Sequence, residues 1–387
     1  MEIKFDFFSI VSIIGIFISL FLSLIIATVK KSNKKANFFL ALFLVAVSVT
    51  IFGFGILMRT NLFHYTPHLT NISMPCMLLL CPLLIFYVKA LIYSDYKFEK
   101  KELLHFIPFI LMLIYLVPFY IQSGEYKINF VKSWLEDSVD FKNLLFQYTA
   151  FSFIGIQIFS YLIYMWISLS CYEKEIKNSF SSIEKNNLHW LKHFIIIFFI
   201  AIFIMLVIFI MQMFIINFKD VYEFIPLTAS VLIAFLVYRV LVQPEVITGI
   251  EYKSSIQSKN KPYIYDNKEK YKILIIESMT KKKLYREPDL TLIDLAARLD
   301  MSRNLLSSVI NDCIKMNFYD FVNGYRVEEV KNFLENKAEK NFNIINIAMD
   351  AGFNSKTTFN AIFKKHTGMT PTQYWKNHKM RKIIVHS

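Results

Sequence analysis

The stretch Asn343-Ile-Ile-Asn-Ile-Ala-Met-Asp-Ala-Gly352-Phe-Asn-Ser355-Lys-Thr-Thr-Phe-Asn-Ala-Ile-Phe363 decides how this chain is read. Asn343 is a helix-capping residue, because its side-chain oxygen can accept from an unpaired amide of the first turn. Gly352 marks the end of that helix, since glycine takes a left-handed backbone without steric penalty. Ala348 is the small residue that lets two helices approach. A second helix follows, with Phe359, Ile362 and Phe363 on its inner face. Two short helices joined by a tight turn make a helix-turn-helix.

The same plan stands upstream in Thr291-Leu-Ile-Asp-Leu-Ala-Ala-Arg-Leu-Asp-Met-Ser302-Arg-Asn-Leu-Leu-Ser-Ser-Val-Ile-Asn311. Thr291 and Asp294 form a capping pair, Asp300 suits a left-handed turn, and Ser302 caps the next helix. Ala296 and Ala348, Asp300 and Gly352, and Met301 and Phe353 are each offset by 52. Between the units, Tyr319 to Asn336 reads as one amphipathic helix with Phe321, Val322, Tyr325, Val330, Phe333 and Leu334 on its apolar side. Two such units read one face of duplex DNA when their second helices lie about 34 Å apart, which a single rigid connecting helix can enforce. Ahead of them, Tyr271, Leu274, Ile275 and Ser278 are expected on one face of a further helix.

Three runs carry a family resemblance. They are Leu292 to Leu299 with Ser302 and Leu306, then Asn317-Phe-Tyr-Asp-Phe-Val-Asn-Gly-Tyr-Arg326-Val-Glu-Glu, and above all Ile347-Ala348 through Ala351-Gly352-Phe353, Ser355, Thr358-Phe359, Phe363-Lys364-Lys365 and Gly368-Met369-Thr370-Pro371. On these, the last ~115 residues resemble the DNA-binding domain of the AraC/XylS family. The resemblance implies a bipartite reader of double-stranded promoter DNA. In the first recognition helix Leu306, Val309 and Ile310 face inward, which leaves Ser302, Arg303, Asn304, Ser307, Ser308 and Asn311 for the groove. In the second, Ser355, Lys356, Thr357, Asn360 and Ala361 are left. Many family members carry a long basic residue at the position of Ser308, and often another at that of Ala361, so base reading here is expected either to be weaker or to rest on Arg303, Asn304, Lys356 and Asn360. Lys364 and Lys365 are placed for phosphates, which position a protein without specifying sequence. Gly352, Phe353, Phe359, Phe363, Gly368 and Pro371 are structural.

Upstream of Pro244 the chemistry changes. Of 387 residues 55% are apolar, and Phe alone contributes 39, yet the net charge is +13. Residues 245–387 hold 24 Lys/Arg against 16 Asp/Glu, a net +8, while residues 1–244 hold 19 against 14. The basic half calls for an anionic partner. The other half contains seven runs, near 7–29, 37–58, 71–92, 103–121, 145–170, 194–216 and 224–243, each long enough to span a bilayer as a helix of about 20 residues. With the C-terminus inside, the inner loops carry 12 Lys and the outer ones 6 Lys/Arg, which fits the excess of positive charge on cytoplasmic loops. The N-terminus lacks the basic region and cleavage site of a signal peptide.

The expected architecture is therefore all-α. A seven-helix membrane domain (1–244, N-terminus outside) is followed by a polar linker (245–265) and a double helix-turn-helix domain (266–387). The membrane half looks like the seven-span sensors fused to bacterial signalling outputs. Its few polar residues are Asn71, Ser73, Gln147, Gln157, Gln212 and Arg239, and Gln157 and Gln212 either line a ligand pocket or bond neighbouring helices. No catalytic motif stands out, so no enzyme and no cofactor is expected. His189 and His193 lack a third ligand, and the four scattered cysteines suggest neither metal nor disulfide.

The expected partners are promoter DNA, the lipid bilayer, a second copy of the chain as a homodimer, and a small-molecule or membrane signal. The expected place is the bacterial inner membrane. Two alternatives stay open: release of the DNA reader by proteolysis, and a transporter or enzyme with an autoregulatory tail.

Overall fold

In a computed structural model of the chain, the structure describes residues 3–29, 33–93, 96–135, 141–183, 189–214, 221–242, 268–336 and 342–385. The described residues are helical; the one strand-like feature among them is an isolated bridge between Phe180 and Thr291. By contacts the chain forms two units, one of Met1–Leu169 and Leu188–Gln257, the other of Ser170–Asn187 and Ser258–Ser387. The expected linker, 245–265, and the side chains of Gln147 and Gln212 lie outside the described residues.

The first unit contains α1 (Phe7–Thr28), α2 (Lys34–Ile51), α3 (Ser73–Ile92), α4 (Ile107–Tyr120), α5 (Gly124–Leu135), most of α6 (Phe141–Ser179), α7 (His189–Phe214) and α8 (Val221–Val242). Five stretches among the described residues are long and apolar enough to cross a membrane: Phe7–Thr28, Lys34–Leu57, Pro67–Ile92, Lys100–Tyr120 and Tyr148–Ser179. Helices α7 and α8 are apolar as well, over Trp190–Ala201 and Leu227–Leu236 among the described residues. Five helices thus meet the requirement among the described residues.

The packing of α1 runs opposite to that of a helix in a water-soluble core. Five of its seven buried residues are small, Ser9, Ser12, Gly15, Ser19 and Ser23, with Leu22 and Ile26 toward its C-terminal end. Ser19 Oγ donates to the Leu44 carbonyl at 2.8 Å and Ser23 Oγ to that of Ala41 at 3.0 Å, both in α2. Phe7, Phe17, Phe21 and Leu24 face outward, Phe17 with 68% of its surface exposed. Just ahead of α1, Asp6 caps the helix, and its carboxyl pairs with Arg59, which holds its pKa down to about 2. Gln157 is buried and donates to the Leu78 carbonyl at 3.1 Å, so it bonds a neighbouring helix.

Several features depart from the expected helices. Helix α5 occupies the outer loop between the runs 103–121 and 145–170, and its Phe130 and Val131 pack with Leu57, Phe63 and Phe119. In the same helix Lys127 is buried, donates to the Tyr120 carbonyl at 2.8 Å and has its pKa lowered by burial. A π-helical stretch, Phe52–Leu57, continues α2; there Gly53 lies so close to Ser73 that a Cβ would sit 2.5 Å from its hydroxyl. Helix α6 continues to Ser179, past the apolar run that defined it.

The second unit is built from α9 (Lys268–Thr280), α10 (Leu292–Arg298), α11 (Arg303–Ser308, continued by a π-helical turn to Ile314), α12 (Phe318–Asn336), α13 (Ile344–Asp350), α14 (Lys356–Thr367) and α15 (Pro371–Val385). Two apolar cores form. Ile275, Met279, Leu295, Leu306, Val309 and Ile310 close the first with Phe318, Phe321 and Val322 from α12. Ala348, Phe353, Phe359, Ile362 and Phe363 close the second with Val327, Val330 and Leu334 from the same helix. In α9 the inward face is Tyr271, Ile275, Ser278 and Met279, and Leu274, expected inside, is 40% exposed. The reason is the helical period: Met279 follows Ile275 by four residues, whereas Leu274 lies a full 100° around from it.

Candidate nucleic-acid interface

Each helix-turn-helix is set by its caps. Thr291 accepts from the Asp294 amide while Asp294 accepts from the Thr291 amide, a reciprocal cap on α10. Ser302 caps α11 by accepting from Leu305, Asn343 caps α13 by accepting from Ile345, and Ser355 caps α14 by accepting from Thr358. The turns are built alike. Met301 N–H donates to the Ala296 carbonyl at 2.9 Å, and Phe353 N–H to that of Ala348 at 3.0 Å. Asp300 (φ 52°) and Gly352 (φ 101°) both take the left-handed backbone. They differ in space: a Cβ on Gly352 would lie 2.6 Å from the Tyr285 carbonyl oxygen.

The repeat also changes register inside the turn. Up to Met301 and Phe353 the offset is 52, but the capping Ser302 and Ser355, and the core pairs Leu306 and Phe359, Val309 and Ile362, Ile310 and Phe363, are offset by 53. The inserted residue is Asn354. Its amide donates to Asp289 Oδ1 at 2.7 Å and to Ser182 Oγ at 3.0 Å.

The side chains read as groove-facing are on the surface, and the two helices present them differently. On α11, Arg303, Asn304, Ser307 and Ser308 are half-buried, and Asn311 is exposed. Arg303 donates to Ser179 Oγ at 3.2 Å. Ser308 donates to Asp312 at 2.9 Å, and both accept from Lys268. Asn311 donates to Ser307 Oγ at 3.2 Å. On α14, Lys356, Thr357 and Ala361 are exposed and Asn360 is half-buried. Lys364 is exposed as well, whereas Lys365 pairs with Asp320 of α12 at 2.7 Å. Burial pulls the Asp320 carboxyl up, but the bonds from Lys365 and Asn317 outweigh it, and its pKa lies below the ordinary value.

One residue central to this unit was not anticipated. Arg326, on α12 between the two cores, is 1% exposed. Its Nε donates to the Tyr285 carbonyl at 2.7 Å and its Nη2 to that of Glu287 at 2.6 Å. Its guanidinium also lies 5.9 Å from the Phe353 ring centroid. A buried charge persists only with such partners, and the planar fork of arginine meets several carbonyls at once. Its neighbour Asn323 is likewise buried. The sequence signal for both was weak, because a charged residue on an amphipathic helix normally marks the solvated side.

Comparison with known proteins bears on this unit alone. Residues 295–377 match a family described as "Helix-turn-helix domain". Over 93 residues the chain is 27% identical to the melibiose operon regulatory protein of Escherichia coli strain K12, and equally to that of Escherichia coli O6:H1. The match covers 24% of this chain and spans 30% of the length of those relatives. No solved structure matches the chain. The helix-turn-helix match supports DNA as a partner of this unit.

Proposed function

We propose that the chain is a membrane-anchored transcription regulator, a one-component sensor that couples a membrane or extracellular signal to promoter binding. The observation that carries the DNA-binding part is the pair of matched turns and caps held on one helix, α12. The reader's contacts are assigned to Arg303, Asn304, Lys356 and Asn360 at base edges and to Lys364 at phosphates. Lys365 reaches a phosphate by exchanging its Asp320 partner. Ser302 and Ser355 hold the helix starts, and Ser307, Ser308, Asn311, Thr357 and Ala361 line the same faces.

Anchoring is supported by the inverted packing of α1. In lipid no hydrophobic force drives apolar helices together, so small and hydroxyl-bearing residues make the contacts and large apolar ones face outward. The lysine bias supports an N-terminus outside and a DNA reader in the cytoplasm, with the bacterial inner membrane as its place. A homodimer would read paired sites.

The test is genome-wide DNA crosslinking of the intact protein, alongside Arg303→Ala and Lys356→Ala, with membrane fractionation of the same cells. Discrete promoter peaks that fade in the variants, from protein recovered in the membrane fraction, are the expected result. Absence of any enrichment would overturn the DNA-binding part, and recovery in the soluble fraction would overturn the anchoring.

A further inference from the structure

Four consecutive residues at the end of α6 are bound by the DNA-binding unit at four separate places. Ser179 Oγ accepts from Arg303, the first residue of α11. Phe180 bridges to Thr291, the cap of α10. Ser181 is 1% exposed; its N–H donates to the Leu290 carbonyl at 3.1 Å, and its own carbonyl accepts from Asn323 at 3.0 Å and from Arg326 at 3.4 Å. Ser182 Oγ accepts from Asn354, the inserted residue ahead of α14.

The chemistry of this contact is specific. Buried backbone groups need partners, and those of Ser181 are met by two buried side chains of α12 and by one carbonyl of the first helix-turn-helix. Arg303 also lies within Coulombic reach of Glu175, one helical turn before Ser179. The segment therefore bridges the starts of both recognition helices, where residues of this motif meet base edges. It is also the direct continuation of α6, which begins at Phe141.

We propose that residues 179–182 are an inhibitory strap. Seated, it keeps Arg303 from the DNA groove and pins the two helix-turn-helix units in one mutual setting. Movement of α6 withdraws it and releases both. This rests on the regulator reading above and names α6, in place of the 245–265 connection, as the element that carries the signal. By thermodynamic reciprocity, a strap that opposes DNA must itself be opposed by DNA.

The test uses the full-length protein in lipid nanodiscs, with its four cysteines (Cys76, Cys81, Cys171, Cys313) replaced and Ser182→Cys paired with Asn354→Cys. The probe is a promoter fragment recovered by the crosslinking experiment. Oxidation is expected to weaken binding at least tenfold, reduction to restore it, and saturating DNA to slow disulfide formation severalfold. Equal or tighter binding by the oxidised form, or a disulfide that never forms, would overturn the strap.

Ser179→Ala, in the native cysteine background, removes only the Arg303 acceptor. It is expected to tighten binding two- to fivefold, and unchanged or weaker binding would count against the proposal. Failure of the reduced double-cysteine protein to bind any fragment is a different result: it removes the regulator reading and the strap with it.

Discussion

The two helix-turn-helix units share one plan and differ in how far their reading faces are already occupied. On α11 the polar face is spoken for: Arg303 by Ser179, Ser308 by Asp312 and Lys268, Asn311 by Ser307. On α14 the equivalent positions, Lys356, Ala361 and Lys364, stand exposed. The turns diverge as well, since Asp300 is exposed while Gly352 turns against the carbonyls of Tyr285 and Arg286. The second unit thus turns in a crowded place and exposes its polar face, while the polar side chains of the first are hydrogen-bonded within the protein. Duplication of a motif does not duplicate its role.

The sharpest way to break this contrast is to remove what couples the units. Arg326→Ala should destabilise the domain by about 3 to 5 kcal/mol, because it leaves buried carbonyls unpaired between both cores. Hydrogen exchange of the intact protein checks this, with protection expected to fall in α10 and in α14 together. Loss confined to one of them would show the units to be independent.

Next in size is Gly352→Ala. Left-handed strain costs about 1 to 2 kcal/mol, and the approach to Tyr285 adds to it. Asp300→Gly should change stability by only a few tenths of a kcal/mol. Comparable losses at the two sites would erase the distinction between the turns.

Smaller still is the contrast in DNA affinity. Lys356→Ala should weaken promoter binding roughly tenfold, about 1.4 kcal/mol, and more than Arg303→Ala does, since Arg303 is held by Ser179. A fluorescence titration with both variants decides the order.

The smallest effect is in pH. The Asp320 carboxyl has a lowered pKa in the folded protein. Its pair with Lys365 therefore adds stability above the unfolded carboxylate value of about 3.9, and that stability fades as pH falls through the lower folded value. The term stays below about 1 kcal/mol for a half-solvated pair. An acid titration of unfolding should show a shallower slope in Asp320→Asn than in the natural chain.

What the sequence made legible follows the range of the interactions. Ser302, Ser355, Asn343 and the Thr291 and Asp294 pair announced their helices, because a cap acts over two or three residues. Gly352 and Asp300 announced their turns for the same reason. The cores of α11 and α14 followed from helical period, although Leu305, also buried, was missed beside Leu306.

The contact of Arg326 with Ser181 was not legible, since the two are 145 residues apart and neither is apolar. Helix α5 escaped notice because, at 12 residues, it is too short to register as one of the membrane-spanning runs around it. Gln157 could be placed in a helix but not given a partner until the Leu78 carbonyl was seen beside it.

The division of α12 between two cores has a consequence for the order in which the chain is made. Synthesis runs from the N-terminus, so the first core can close as soon as Phe318, Phe321 and Val322 have left the ribosome. The second must wait for Phe363 and for the helix that follows. During that interval Val327, Val330 and Leu334 have nothing to cover them, and the ribosome holds a half-built reader whose bare apolar stripe invites a chaperone or a neighbour. A nascent chain arrested in that window is where misassembly of this protein would begin.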